Sequence, residues 1–521
     1  MQDRSSLDGA RAHRSLSPPC AARRRWAVAR ESVARFSPLT LSAMLATHVF
    51  IWTLAAWLSR GNLDVPGDMV ENYIWGIEWQ PGYAKHPPLF AWITAAWFMV
   101  FPRFDIAYFA LSALNAMLGL LGIAALARRF LPHHLAVIAG LAMAVSPLYS
   151  TLAIKFNANA VLLSLWPWTA YFFVRFMQGG GWRSAVLLGA LAGATVLGKY
   201  FSVVLLAALL LAALARPVWR ARLLRPASLW IVMSGTIVLL PHLHWLISED
   251  FPTLAYAQHR SGGTRTAATR RLGMYALAQF AYLLPSSVVL LVLVRQHRFK
   301  ALGAMLQASV KPSRCPDVWW LAFGPMIVVA GLALVTKTEM ASVWGMAQWF
   351  AIVPLWLWAL EDRGVALVAK RVLPMMLMYW TCVLAVSALV GYGGALRGTE
   401  GAIAPRIELA EAAHRVWQQQ RGHAMPIVAG SIQDAGSIAF YGAGTTRYWN
   451  PVRPLETRWL ALSDLYANGA LFVCRREDGA CIERAGELSG VLPLTLTVAK
   501  QGWGRTLPGR SFFLFVMPSS R

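Results

Sequence analysis

Four carboxylates, Asp64, Asp68, Glu71 and Glu78, fall within fifteen positions, and the run Gly82-Tyr83-Ala84-Lys85-His86-Pro87-Pro88-Leu89 follows closely. Only 14% of the chain is charged, so such a cluster stands out. A carboxylate beside an apolar surface loses hydration, its pKa rises, and it can take a proton from a hydroxyl or amine near neutral pH. Asp68 and Glu71, three positions apart, are the candidate catalytic pair. Each also has a plainer reading, Asp68 as a helix cap and Glu71 as a first-turn acid favoured by the helix dipole. His86 can take a proton, hold phosphate or ligate a metal, or simply satisfy loop carbonyls. Tyr83, beside it, is a further candidate.

Cations that could hold a phosphate lie in three other places. Lys85 is in the first loop itself, and Lys199 sits in Gly198-Lys199-Tyr200 between two apolar runs. His259 and Arg260 lie within a stretch, 248–272, that carries four arginines. Lysine meets phosphate as a point charge and arginine as a planar fork. Asp68, His86 and His259 would make a divalent metal site only if their loops converge, which spacing leaves open. The pairs His133/His134 and His242/His244 read as interfacial or structural.

Those groups must be positioned by a membrane framework. The chain has 521 residues, is 57% hydrophobic, and has a mean hydropathy of +0.48. Ordinary soluble domains are about 45–50% apolar and about 25% charged. Apolar runs long enough for a ~30 Å hydrocarbon core recur along it. Eleven spans are expected, near 38–58, 106–127, 134–153, 158–176, 184–198, 200–215, 228–247, 273–294, 318–335, 342–360 and 372–392. The short run 87–101 is read as an interfacial helix, which makes 59–104 one large outer loop. With that choice the other basic clusters between spans fall on the cytoplasmic side, as the positive-inside rule requires, while the four arginines of 248–272 stand on the outer side against it.

The net charge of +24 is therefore a topology signal, and nucleic acid is not an expected partner. Residues 1–36 read as a basic, disordered cytoplasmic arm, and 37–393 as the membrane domain. Residues 394–521 read as a small α/β domain on the outer, periplasmic side. Within it, 407–420 and 435–441 are expected helices, and 426–430, 470–474 and 511–517 expected strands. Cys474 and Cys481 can pair if that domain is exported.

The first-loop pattern, an acid, then Glu-x-Tyr-x-Trp, then Gly-Tyr-x-x-His-Pro-Pro-Leu-x-x-Trp, resembles bacterial glycosyltransferase family 39. That family includes lipid A aminoarabinose transferases and protein O-mannosyltransferases of the GT-C fold. The resemblance extends over about 40–390. It implies a polytopic transferase of the bacterial inner membrane that moves a sugar from a polyprenyl-phosphate donor to a lipid, glycan or protein acceptor. Asp68 matches the acid that activates the acceptor, Lys199 a lysine near the carrier phosphate, and His259 a histidine near the metal or phosphate. Two departures are visible: Met69 stands where the common pattern has a second acid, and Lys85-His86 stands where the aminoarabinose branch has Glu-Lys. A lipid or polysaccharide flippase is the alternative reading, and a non-catalytic envelope scaffold a third.

Overall fold

The computed structural model describes residues 38–259, 263–312 and 315–520. The expected basic arm and Arg260 lie outside the described residues, as does the side chain of His259. Helices dominate the first three quarters of the chain. They are α1 (Pro38–Arg60), α2 (Asp68–Gly76), α3 (Leu89–Val100), α4 (Asp105–Ala127), α5 (His133–Ala144), α6 (Leu162–Met177), α7 (Trp182–Gly198) and α8 (Val203–Ala215). After these come α9 (Pro217–Leu223), α10 (Leu229–Ser248), α11 (Pro252–His259), α12 (Arg265–Leu293), α13 (Arg298–Val310), α14 (Pro316–Thr336), α15 (Ile352–Asp362) and α16 (Val372–Arg397).

The protein is an integral membrane protein. Among the described residues six helices are long and apolar enough to cross a bilayer, or seven if the pair containing α8 and α9, bent by 114°, is one span. Hydropathy alone gives eleven. The shortfall lies at α5, α6, α7 and α15, whose 12, 16, 17 and 11 residues fall below the ~20 of a full crossing. The expected run 134–153, for example, stops being helical at Ala144. Ser146 precedes Pro147, which disfavours α-helical geometry, and it is extended at φ −64°, ψ 140°.

Between α1 and α4 lies the segment that carries the acids. α3 has only 12 residues, and α2 is buried at every position from Met69 to Gly76. α2 packs against α3 so closely that a Cβ on Gly76 would lie 2.2 Å from the Ala91 carbonyl oxygen. Its other side meets the C-terminal part of the chain.

There the elements are α17 (Glu400–Ile403), α18 (Arg406–Arg421), β1 (Ile427–Gly430), α19 (Ala435–Tyr441), β2 (Arg447–Trp449), α20 (Leu462–Asn468) and β3 (Ala470–Arg475). The chain ends through α21 (Gly479–Ser489), β4 (Leu494–Val498), the two-residue pair β5 (Gln501–Gly502) and β6 (Arg505–Thr506), and β7 (Arg510–Met517). The main sheet has the order β2-β1-β3-β7-β4. β1 is parallel to β2 and β3, while β7 is antiparallel to β3 and β4. Leu471 and Val473 face one core and Phe472 and Cys474 the other, the two-residue period of a strand covered on both faces. Cys474 is bonded to Cys481. The expected helices and strands of this region are present. The additions are α17, α20, α21, β2, β4 and the β5–β6 pair; β2 is only three residues long and β4 is a largely exposed edge strand.

Polar contacts tie this sheet to the first loop. Arg447 makes a two-pronged pair with Glu78 at 2.9 and 2.6 Å. Arg103 donates to the Tyr73 hydroxyl at 3.0 Å and to the Gly442 carbonyl at 2.6 Å. Asn62 donates to the carbonyls of Gly401 and Ala404. α2 is thereby held between a membrane-side helix and a sheet domain. Because no side chain fits at Gly76, Gly76→Ala should destabilise the protein by about 1–3 kcal/mol, read as a lowered thermal midpoint in detergent.

Candidate active site

The acids of the first loop divide their work. Asp64, with its side chain 2% exposed, caps α2: its carboxylate accepts from the backbone N–H of Met69 at 2.8 Å and of Asp68 at 3.0 Å. Gly67, at φ +87°, makes the turn that brings Asp64 back over the helix end. Asp68 is therefore the first helical residue and not the cap, a correction to its plainer reading. Its side chain is 40% exposed, which leaves it able to meet a ligand.

Lys155 joins the two acids, its ammonium 3.0 Å from Asp64 and 2.8 Å from Asp68. Burial opposes the lysine charge, but the two carboxylates outweigh it and the Lys155 pKa is raised. Asn157 donates to Asp68 at 3.3 Å, and Asn159 accepts from the Lys199 ammonium at 2.5 Å. The Phe156 carbonyl, between Lys155 and Asn157, accepts from Asn72 of α2 at 2.7 Å. The segment 155–159 thus connects Asp68 to Lys199. Sequence reasoning counts Lys155 among the outer-side charges without giving it a role, and assigns Asn157 and Asn159 no part. Their signal is present nonetheless, three polar side chains alternating with apolar ones in Lys-Phe-Asn-Ala-Asn.

Lys199 sits where the chain leaves helical geometry between α7 and α8, at φ −169°, ψ 136°. Its ammonium also lies 5.1 Å from the Trp344 ring centre, a cation–π distance. Glu71 lies one turn along α2 from Asp68 and pairs with Lys85 at 2.6 Å. Burial pushes the Glu71 carboxyl up to about 7, against the opposing pull of Lys85. Lys85 is opposed by burial too, yet Glu71 and Glu456 raise its pKa. Its ammonium lies 5.8 Å from the Trp75 ring.

Tyr83 is buried; its ring stacks on Trp75 at 4.9 Å and its hydroxyl donates to the Trp75 carbonyl at 2.7 Å. His86 sits edge-on to Phe90 and Tyr256 at 5.8 and 6.2 Å. His242 packs in the way its structural reading expects: Nδ1 donates to the Pro81 carbonyl at 2.7 Å, leaving Nε2 to accept from the Tyr200 hydroxyl at 2.6 Å. Among the described residues no three of His, Cys, Asp and Glu come together as a metal site. Glu71 and Glu456 instead face the Lys85 ammonium.

Residues 85–245 match the family model described as dolichyl-phosphate-mannose-protein mannosyltransferase. The chain superposes on the crystal structure of ArnT from Cupriavidus metallidurans bound to undecaprenyl phosphate with a TM-score of 0.53. That match has 15% identity and covers 91% of this chain and 98% of the other. The fold is ArnT-like. A second structure, the oligosaccharyltransferase of Archaeoglobus fulgidus in its apo form, aligns with 11% identity over 89% of this chain and 70% of its own, at a TM-score of 0.40. No curated protein sequence matches the chain.

Two outcomes follow from this geometry. Asp64→Ala removes a cap and a carboxylate partner of Lys155, and should cost about 1–2 kcal/mol of stability; Asp68→Asn, at the more exposed acid, should leave the thermal midpoint nearly unchanged. Glu71 gains its charge as pH rises through about 7, so its pair with Lys85 forms on the alkaline side of that value. The rate should therefore rise with pH across a single ionisation near 7, and Glu71→Gln should flatten that limb. An identical limb in the variant would exclude Glu71 as its source.

Proposed function

We propose that the chain is an inverting glycosyltransferase that moves a sugar from a polyprenyl-phosphate donor to a lipid, glycan or protein acceptor. The observation that carries this reading is the pairing of Asp68 and Glu71, one helical turn apart on α2, with Lys155, Lys85 and, through 155–159, Lys199. Glycosyl transfer from a phosphate needs that combination, a base for the acceptor and cations for the leaving group. The match of 85–245 to a mannosyltransferase family and the ArnT-like fold support it. So does the undecaprenyl phosphate bound to the structural neighbour.

In this mechanism Asp68 accepts the proton of the acceptor hydroxyl or amine while the freed electron pair attacks the anomeric carbon. The bond from that carbon to the phosphate oxygen breaks, and polyprenyl phosphate leaves as the anion. Lys85 and Lys199 hold the phosphate, with His259 and Arg260 as the further candidates. Glu71 fixes Lys85, and Tyr83 and His86 shape the loop around it. We place the protein in the bacterial inner membrane, with residues 1–36 cytoplasmic, 37–393 as the membrane domain and 394–521 as a periplasmic domain. The Cys474–Cys481 bond supports an oxidising compartment for the last of these.

The test is release of polyprenyl phosphate by the purified protein supplied with polyprenyl-phosphate sugars and an extract of envelope lipids and glycans. Asp68→Asn should lower the rate by about 10²–10⁴-fold with the fold intact. Undiminished turnover by that variant would remove Asp68 from the mechanism.

A further inference from the structure

One charged group near the site comes from the far end of the sequence and has no part in the reaction described above. Glu456 lies in the short 3-10 turn Pro454–Thr457, between β2 and α20. Its Oε2 is 3.8 Å from the Lys85 ammonium, with side chains 22% and 24% exposed. The turn is held in register from both sides. Asn450 donates to Glu456 Oε2 at 3.4 Å and Arg453 to Oε1 at 3.4 Å. Arg447, just upstream, is locked to Glu78, and Arg458, just downstream, pairs with Glu249 at 3.3 Å. The Trp459 ring stands edge-on to Tyr83 at 5.8 Å. Glu456 also lines a cleft of about 80 Å³ together with Gln80, Tyr83, Trp245 and Glu249, so the carboxylate stands at an opening and not only inside a packed contact.

We propose that Glu456 is a positioning residue for Lys85, so that the C-terminal sheet domain supplies a side chain to the site on the first loop. Two carboxylates, from α2 and from the 454–457 turn, share one ammonium, the nearer at 2.6 Å and the farther at 3.8 Å. The second carboxylate holds the Lys85 ammonium between α2 and the cleft, and keeps it charged. The sheet domain is thus part of the site and not a detachable cover. This inference rests on the proposed transferase reading only for what Lys85 does, not for where it is held.

The groups facing this pair are few enough to predict the effect of removing Glu456. Glu71 faces Lys85, Asp68, Glu456 and Tyr448, and Lys85 also faces Tyr256. The negative charge of Glu456 raises both Glu71 and Lys85. In Glu456→Gln the pH limb assigned to Glu71 should therefore move to lower pH, by roughly half a unit to one unit. The donor KM should rise about five- to tenfold with a smaller change in kcat, and Glu456→Asp should recover part of the loss.

A second readout needs no turnover. Lys85 in Glu456→Gln has lost one of its two carboxylates, so a larger fraction is neutral amine. An amine-reactive ester should then acylate it at least threefold faster than in the wild type, by peptide mass spectrometry with Lys155 as internal reference. Acylation of Lys85 and a pH limb both unchanged in Glu456→Gln, or in Glu456→Ala should the first variant not fold, would overturn the proposal. Faster acylation in a protein that releases no polyprenyl phosphate would uphold the positioning role and overturn the transferase reading instead.

Discussion

The Asp64 carboxylate, closing the N-terminus of α2 and meeting Lys155 on its other side, is the interaction on which the site depends. A helix with the backbone N–H groups of its first turn unmet is costly to bury, since those donors lose water and gain nothing. Asp64 supplies the acceptors, and with it α2 can be enclosed along almost its whole length. Only then can Asp68 and Glu71 project from a rigid element. The cap is itself a buried charge, and Lys155 makes it tolerable.

From that cap the structure builds outward in pairs. Lys155 extends the charge from Asp64 to Asp68, and the asparagines that follow it continue to Lys199. On the opposite side Glu71 meets Lys85, and Lys85 meets Glu456. The sheet domain contributes in the same manner. Arg447 closes on Glu78, whose side chain is only 8% exposed, and Arg406 donates to the Asp64 carbonyl at 2.9 Å. Buried charges at this end of the molecule are matched across elements rather than within them, which is why α2, the segment 155–159 and the turn at Glu456 form one arrangement.

Part of this arrangement is legible in the amino-acid sequence. The acid cluster stands out against apolar sequence, and the Gly-Tyr-x-x-His-Pro-Pro-Leu pattern resembles that of a membrane glycosyltransferase family. Most helices fall within a few residues of their expected places, because apolar runs and basic clusters are local signals. Asp64 is visible as an acid but not as the cap, since Asp68 has an equally good local case for that role. Lys155 is one charge among several on the outer side, and nothing in its neighbours gives it a task. Arg260 and the side chain of His259 lie beyond the described residues. Eleven crossings are expected from the sequence, while six or seven helices among the described residues are each long and apolar enough to cross, because composition does not say where a run such as 134–153 leaves helical geometry.

Hydropathy and charge spacing by themselves determined that this is a membrane protein with an acidic first loop, and which residue types could do chemistry there. Those properties are additive along the chain and survive without coordinates. Tertiary structure alone decided the partners: Asp68 with Lys155 and Asn157, Lys199 with Asn159, and Glu71 with Lys85 and Glu456. Asn157 lies 89 positions from Asp68, and no periodicity of strand or helix reaches that far. An ion pair depends on distance through space, and that distance is set by the packing of whole elements. The division of the first-loop acids into a cap, an exposed carboxylate and a buried one is therefore a property of the fold.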